Sequence, residues 1–234
     1  MDCCGAVVVA AGRGTRMGTS ESKQYLALGG KPILVRTLER FQRMPEISEI
    51  VLVTCKEDVA RCEAYVREFG LTKVSAVTVG GKERQHSVLA GLRMLSPRIR
   101  IAAVHDAVRP FFPLEQTAAC LKKAEQSGAA VLAVPVKDTI KTVDSSGKVE
   151  STPDRNSLWA VQTPQAFRLD LLLLAHRRAE EDGFIGTDDA SLVERIGSDV
   201  YIVPGDYTNI KITTPDDLLW AERILQQMGE GDTL

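Results

Sequence analysis

Short β-branched runs alternate with segments of helical period over most of the chain, and that alternation limits the possible folds more than any other feature. Apolar runs occupy residues 6–10, 50–54, 74–79, 101–104 and 130–136, each bounded by polar or glycine residues. They are apolar at successive rather than alternate positions, which predicts strands covered on both faces in a mainly parallel sheet. Between them, residues 32–41 have a helical period with Pro32 at the first helical position, and residues 56–69 end before Gly70. Helical patterns at 83–95 and 113–126 follow, the latter closed by Gly128. The expected fold class is α/β, a doubly wound, mainly parallel sheet with helices on both faces.

Residues 137–167 break the rhythm. Two alternating runs, 139–143 and 148–151, flank a Ser-Ser-Gly turn and predict a hairpin. Both of its faces are polar, and a free two-stranded ribbon is marginal in water. The pattern leaves two options open: a hairpin folded on its own domain, or an arm spanning 137–158 that packs on a second copy of the chain. Helical patterns resume at 169–181 and 188–196, with a strand pattern at 199–203, a short run at 209–213 and a helix from Pro215 to about 228. With 234 residues, no repeat and no low-complexity linker, residues 1–234 are expected to form one domain with a protruding arm.

The bulk properties exclude several function classes. A net charge of −2 gives no electrostatic case for nucleic acid or an anionic membrane. No apolar run approaches the roughly 20 residues that span a bilayer. The first strand begins by about residue 5, leaving no room for a signal peptide. The five cysteines have no C-x-x-C pair or zinc spacing, and the three histidines form no ligand motif. Reduced thiols and a cytoplasmic location are the expectation.

The first apolar run breaks into the loop "VVVAAGRGTRMG", residues 7–18. A dinucleotide fingerprint would need glycine where Met17 stands, and a P-loop would need a G-K-[ST] triplet that the loop lacks. What remains is a turn whose backbone amides can wrap anions, with Arg13, Arg16 and, shortly after, Lys23. Several cations beside a nest of amides suit a polyphosphate whose charge must be spread while a bond breaks. Asp106 ends the run "IAAVHD", at the carboxyl edge of a parallel strand where open α/β sheets bind ligands. There it is either a Mg²⁺ ligand beside phosphate or a turn aspartate.

The stretch "AAGRGTRMG…KQYLALGGKPIL" resembles the opening of sugar-nucleotidyltransferase-like enzymes. "GGKERQHSVLAGL", "VHDAVRPF", "DRNSLWAVQTPQAF", "GTDDA" and "NIKITTPDDL" each resemble blocks of 2-C-methyl-D-erythritol 4-phosphate cytidylyltransferases, in the family's order and over nearly the whole chain. The resemblance implies a Rossmann-like nucleotidyltransferase fold and transfer of CMP from CTP to methylerythritol 4-phosphate, with release of pyrophosphate, in non-mevalonate isoprenoid precursor synthesis. It also implies Mg²⁺ and a homodimer whose arm reaches the neighbouring site. The partners are then CTP and a polyol phosphate.

The resemblance also distributes roles. Arg16 and Lys23 match the pair that stabilises charge on the α-phosphate. Ala10, Ala11, Gly12 and Gly14 approach the nucleotide by backbone, and Gly81, Arg84 and Ser87 meet it at a helix start. Asp106 matches the nucleotide and metal site. Arg155 and Lys211 match the residues that hold the acceptor phosphate in line. Thr139, Arg109, Thr163 and Thr187 are expected to contribute to substrate binding. Lys82 stands where many relatives have aspartate, and Thr208–Asn209 where many have Asp-Asn, which leaves Asp206 as a loose substitute for a second carboxylate. The attacking phosphate monoester is already an anion, so the absence of a nucleophile-and-base triad fits this chemistry. Two rivals stand beside this reading: ribitol 5-phosphate as acceptor, and a catalytically silent nucleotide-binding protein of the same fold.

Overall fold

The computed structural model describes residues 3–12 and 21–229. Strand β1 (Cys4–Val9) is followed by a short ribbon, β2 (Ala27–Leu28) and β3 (Lys31–Pro32), and by helix α1 (Ile33–Arg43). Then β4 (Ile47–Thr54), α2 (Val59–Glu68), β5 (Val74–Val79), α3 (Arg84–Leu92) and β6 (Ile101–Asp106) alternate as the hydrophobic pattern predicts. Helix α4 (Leu114–Ser127) leads to β7 (Ala129–Pro135), and the arm carries β8 (Thr142–Val143) and β9 (Val149–Ser151). The chain continues through β10 (Trp159–Arg168), α5 (Leu169–Glu181), α6 (Asp189–Arg195), β11 (Tyr201–Pro204) and α7 (Pro215–Met228).

Seven of these strands form one sheet in the order β5-β4-β1-β6-β10-β7-β11. β1 pairs in parallel with both β4 and β6, and β10 runs antiparallel between β6 and β7. The chain winds outward from β1 to β5 on one side and then restarts at β6 on the other. The switch point therefore lies between β1 and β6, and a ligand crevice belongs beyond their carboxyl ends.

Successive residues of the buried strands face opposite layers. Ala6 and Val8 of β1 join Leu34, Leu38 and Phe41 of α1 and Leu121 of α4 on one face. Val7 joins Val88 and Leu92 of α3 and Leu172 and Ala175 of α5 on the other. Helix α3 lies close to the sheet because Gly91 has no side chain; a Cβ there would run into Val7 and come within 2.7 Å of Val53.

Two local expectations are corrected. Pro32 does not start a helix: it ends β3, with extended backbone, and flanks α1 from outside. The stretch that breaks the rhythm conceals β10, the antiparallel strand between β6 and β7, because Pro164 and three polar residues disguise it. Proline is poorly tolerated in a central strand for want of an N–H, and here it falls where the β10–β7 register shifts, between Val161 and Gln165.

Candidate active site

A cavity of about 620 Å³ opens at the switch point, lined by the exits of β1, β4, β5 and β6, by Lys23 and by Lys211. Beyond β1 the chain turns through Ala10, Ala11 and Gly12. Val53 accepts a hydrogen bond from Ala10 N at 2.7 Å, and the Ala10 carbonyl accepts one from buried Gln24 Nε2 at 2.8 Å. Cys55 Sγ donates to the Ala11 carbonyl at 3.1 Å. The turn is thus held from behind. A Cβ on Gly12, which lines the cavity, would meet no atom of the described residues within 4 Å. On the opposite wall, a Cβ on Gly80 would come within 2.7 Å of the Ala11 side chain and 2.6 Å of Ser87 Oγ. Glycine there lets the β5 exit approach the β1 exit.

Helix α3 begins at this wall. Glu83 and His86 form its capping box, and Ser87 Oγ accepts from Gly81 N at 3.1 Å while donating to the Glu83 carbonyl at 3.2 Å. These bonds fix the turn that carries Gly81 and Arg84. Lys23, Lys56, Lys82, Arg84 and Lys211 line the cavity against Glu57, Glu83 and Asp106, a surplus of positive charge in a chain that is acidic overall.

Asp106 stands at the centre of this charge. Its carboxylate meets Lys211 Nζ at 2.9 Å, Arg84 Nε at 3.3 Å and Arg109 Nε at 3.7 Å. Burial raises its pKa, but Arg84, Lys211 and Arg109 outweigh burial and hold it well below the ordinary carboxylate range. Arg84 is in turn held by Asp189 of α6, Nη1 to Oδ2 at 2.6 Å. Burial lowers the Arg84 pKa, and the two carboxylates more than reverse this.

A hydrogen-bond chain supports Asp106 from beneath. Burial drives the His105 pKa down to about 3, so the ring is neutral. The Arg109 carbonyl can only accept, so the ring donates from Nε2 at 3.0 Å, and Nδ1 accepts from Thr163 Oγ1 at 3.0 Å. Thr163 Oγ1 accepts from Asp106 N at 3.2 Å. Lys211 is fixed from both sides: buried Asn209 Nδ2 donates to the Thr163 carbonyl at 2.9 Å, and Ile212 N donates to the Val108 carbonyl at 3.0 Å. Arg109 Nη1 donates to the Asn209 carbonyl at 2.7 Å.

The structure thus gathers Ala10, Ala11, Gly12, Lys23, Gly81, Arg84, Ser87, Asp106 and Lys211 around one cavity. Arg109 and Thr163 lie behind it, engaged with Asn209, His105 and Asp106. Arg155, Thr139 and Thr187 are exposed and do not line it. Arg155 Nη1 donates to the Lys137 carbonyl at the base of the arm, at 3.0 Å. Gly14 and Arg16 fall outside the described residues. Asp206 caps its own turn, accepting from Thr208 N and Oγ1 at 2.7 Å each, and does not line the cavity. Sequence reasoning gave no role to Gln24, Asp189 or Asn209. Each is a buried polar side chain; Gln24 follows Lys23, and Asp189 and Asn209 lie in the blocks "GTDDA" and "NIKITTPDDL".

Asp106 is a suitable protein ligand for Mg²⁺, which is often held by one or two carboxylates together with substrate phosphates and waters. No group of three or more His, Cys, Asp or Glu side chains among the described residues could form a fully protein-built metal cage.

Comparison with known proteins assigns this arrangement. The family model for 2-C-methyl-D-erythritol 4-phosphate cytidylyltransferase matches residues 4–227. The chain is 53% identical over 220 residues to the 2-C-methyl-D-erythritol 4-phosphate cytidylyltransferase of Geobacillus kaustophilus, covering 94% of this chain and 96% of that one. It is 49% identical over 226 residues to that of Geotalea uraniireducens, covering 95% and 97%. A crystal structure of 4-diphosphocytidyl-2C-methyl-D-erythritol synthase from Anaerococcus prevotii superposes with a TM-score of 0.84 at 32% identity, over 96% of each chain. With its sheet order, its switch-point cavity and its full-length sequence match in agreement, the chain belongs to the 2-C-methyl-D-erythritol 4-phosphate cytidylyltransferase family.

Proposed function

We propose that the chain transfers CMP from CTP to 2-C-methyl-D-erythritol 4-phosphate, releasing pyrophosphate and forming the cytidine diphosphate-linked methylerythritol. The observation that carries this reading is the convergence of Lys23, Arg84 and Lys211 with Asp106 in one switch-point cavity, in a chain of this family. The acceptor's phosphate oxygen attacks the α-phosphorus, the α–β bridging bond breaks, and pyrophosphate carries away the electron pair. No base is needed because the nucleophile is already ionised. The chain's task is to align two anions and spread their charge.

In this reading the backbone turn from Ala10 to Gly12 and the start of α3 at Gly81 and Ser87 seat the nucleotide. Lys23, with Arg16 beyond the described residues, neutralises charge that develops on the α-phosphate and the leaving group. Lys211 steers the acceptor phosphate, and Asp106 would hold Mg²⁺, whose chemistry when bound would be Lewis-acid neutralisation of phosphate charge. We assign Arg155 and Thr139 to the cavity of a second copy in a homodimer. Exposed Val143 and Val149 on a two-stranded arm support this, since so small a ribbon gains stability by packing on something else. Thr187 is left as a peripheral contact. No helix among the described residues is long and apolar enough to cross a membrane, and the five cysteines are free thiols; both support a cytoplasmic location.

The test is pyrophosphate release by purified protein given CTP, Mg²⁺ and either methylerythritol 4-phosphate or ribitol 5-phosphate, with chelator controls. Release with the first acceptor, abolished by chelator, is expected. Release with ribitol 5-phosphate alone overturns the assignment, and release with neither favours a silent nucleotide-binding protein.

A further inference from the structure

Arg84 stands between two carboxylates from different elements. Its Nε donates to Asp106 Oδ1 at 3.3 Å and its Nη1 to Asp189 Oδ2 at 2.6 Å. Asp106 lines the cavity; Asp189, 1% exposed in the first turn of α6, does not. Behind Asp189 lies the fully buried His176 of α5, with Nε2 3.5 Å from Oδ1, and neither ring nitrogen makes a hydrogen bond among the described residues. A carboxylate this deep is costly to bury, and well-packed apolar residues often hold elements together at least as well as a buried ion pair. The position of Asp189 therefore needs a reason beyond anchoring α6.

The reason lies in what Arg84 would do without it. Anchored by Asp106 alone, the guanidinium would close on that carboxylate, and each would cancel the charge of the other inside the cavity. With Asp189 taking the shorter bond, Arg84 is pulled toward α6, and the two ion pairs use two of its five N–H donors. Arg84 remains part of the cavity wall with its side chain 29% exposed. A planar fork gripped at two points is also fixed in orientation.

We infer that Asp189 is a positioning residue for nucleotide binding, holding Arg84 in the orientation that the triphosphate meets while touching no substrate itself. The inference rests on the cavity being the CTP site. Because the orientation is set before the ligand arrives, its loss weakens binding of the ground state and the transition state alike, raising KM more than it lowers kcat.

The experiment measures the Kd of CTP by calorimetry, and KM and kcat by pyrophosphate release, for the full-length wild type, Asp189→Asn, Arg84→Gln and the double variant. Asp189→Asn is expected to raise Kd and KM for CTP at least about tenfold, the scale of one charge-assisted hydrogen bond. It should lower kcat much less, and it should add nothing to Arg84→Gln. A smaller change in Kd, a kcat loss with KM unchanged, or losses that multiply in the double variant overturn the inference; a purely structural role lowers Tm without this split. If Asp189→Asn does not fold, Arg84→Lys carries the test, because one ammonium cannot grip both carboxylates with the same fixed geometry. It should match Arg84→Gln in Kd, and a Kd near that of the wild type overturns the inference. Failure of the wild type to bind CTP refutes the reading of the cavity instead.

Discussion

Asp106→Asn removes the carboxylate that three cations share while keeping its volume. Breaking a buried ion pair by deleting one partner costs about 3–5 kcal/mol. Two features reduce that figure here. The Lys211 side chain is 40% exposed and is hydrated without Asp106, and Arg84 keeps its 2.6 Å bond to Asp189. Arg109 is left worst off: its side chain is 13% exposed and its Nε makes no hydrogen bond among the described residues. The expected loss is therefore about 2–3 kcal/mol. At about 2–4 °C per kcal/mol for a domain of this length, Tm should fall by roughly 5–10 °C.

The pH dependence of that gap tests its origin. Arg84, Lys211 and Arg109 overcome burial to depress the Asp106 pKa. A depressed carboxylate stabilises fully above its unfolded-state pKa of about 3.9 and loses that contribution as pH falls through the folded value. The difference in Tm between wild type and Asp106→Asn should therefore be constant from about pH 8 to pH 5 and narrow below about pH 4. Melting curves by circular dichroism at low salt measure it. A gap under about 2 °C at neutral pH, well below the scale worked above, or a gap that widens on acidification, refutes the reasoning.

On the proposed role, in which the Lys23 charge acts where new charge develops, Lys23→Ala should lower kcat while leaving the KM for CTP nearly unchanged; steady-state kinetics giving the opposite split would remove it from that role. Arg155→Ala and Lys23→Ala proteins, each inactive alone, should regain activity when mixed and allowed to exchange subunits. Absence of recovery, with exchange proven by mass-tagged copies, would mean that each site is built from one chain. Gly91→Ala should cost about 1–3 kcal/mol, because its Cβ would run into Val7 and crowd Val53 where α3 meets the sheet. Chemical denaturation would show this as a lower midpoint with an unchanged slope.

The parallel half of the sheet was legible because its strands obey one rule. β5 spans Val74–Val79, as its apolar run predicts, and β1, β4, β6 and β7 differ from their runs only at the ends. Strand β10 breaks every strand rule at once. It places Gln162, Thr163 and Gln165 in the buried layer and puts Pro164 among them. Each polar group has a distant partner: Gln162 donates to the Asp206 carbonyl, Thr163 joins His105, and Gln165 donates to Asp188. The strand sacrifices its apolar pattern to brace the site, and pattern reading fails there for that reason.

The same holds for the charged residues. Lys23, Arg84, Asp106 and Lys211, which line one cavity, could be singled out in the sequence because each stands beside a chain feature with a known use: a glycine loop, a helix start, a strand end, a family block. Asp189 lies in the block "GTDDA", but nothing in that block sets it apart from Asp188. In the sequence it follows the cap residue Asp188 as one more acid in a helix's first turn, a place where acids need no explanation beyond the helix dipole. Its partner Arg84 is 105 residues away, and only the packing of α6 and α5 against α3 brings them together. Local sequence rules can identify the groups that meet a phosphate, because phosphates are met at loop tips and strand ends. They are silent on the groups that aim those residues, since aiming is done across the core by whichever side chain the fold delivers.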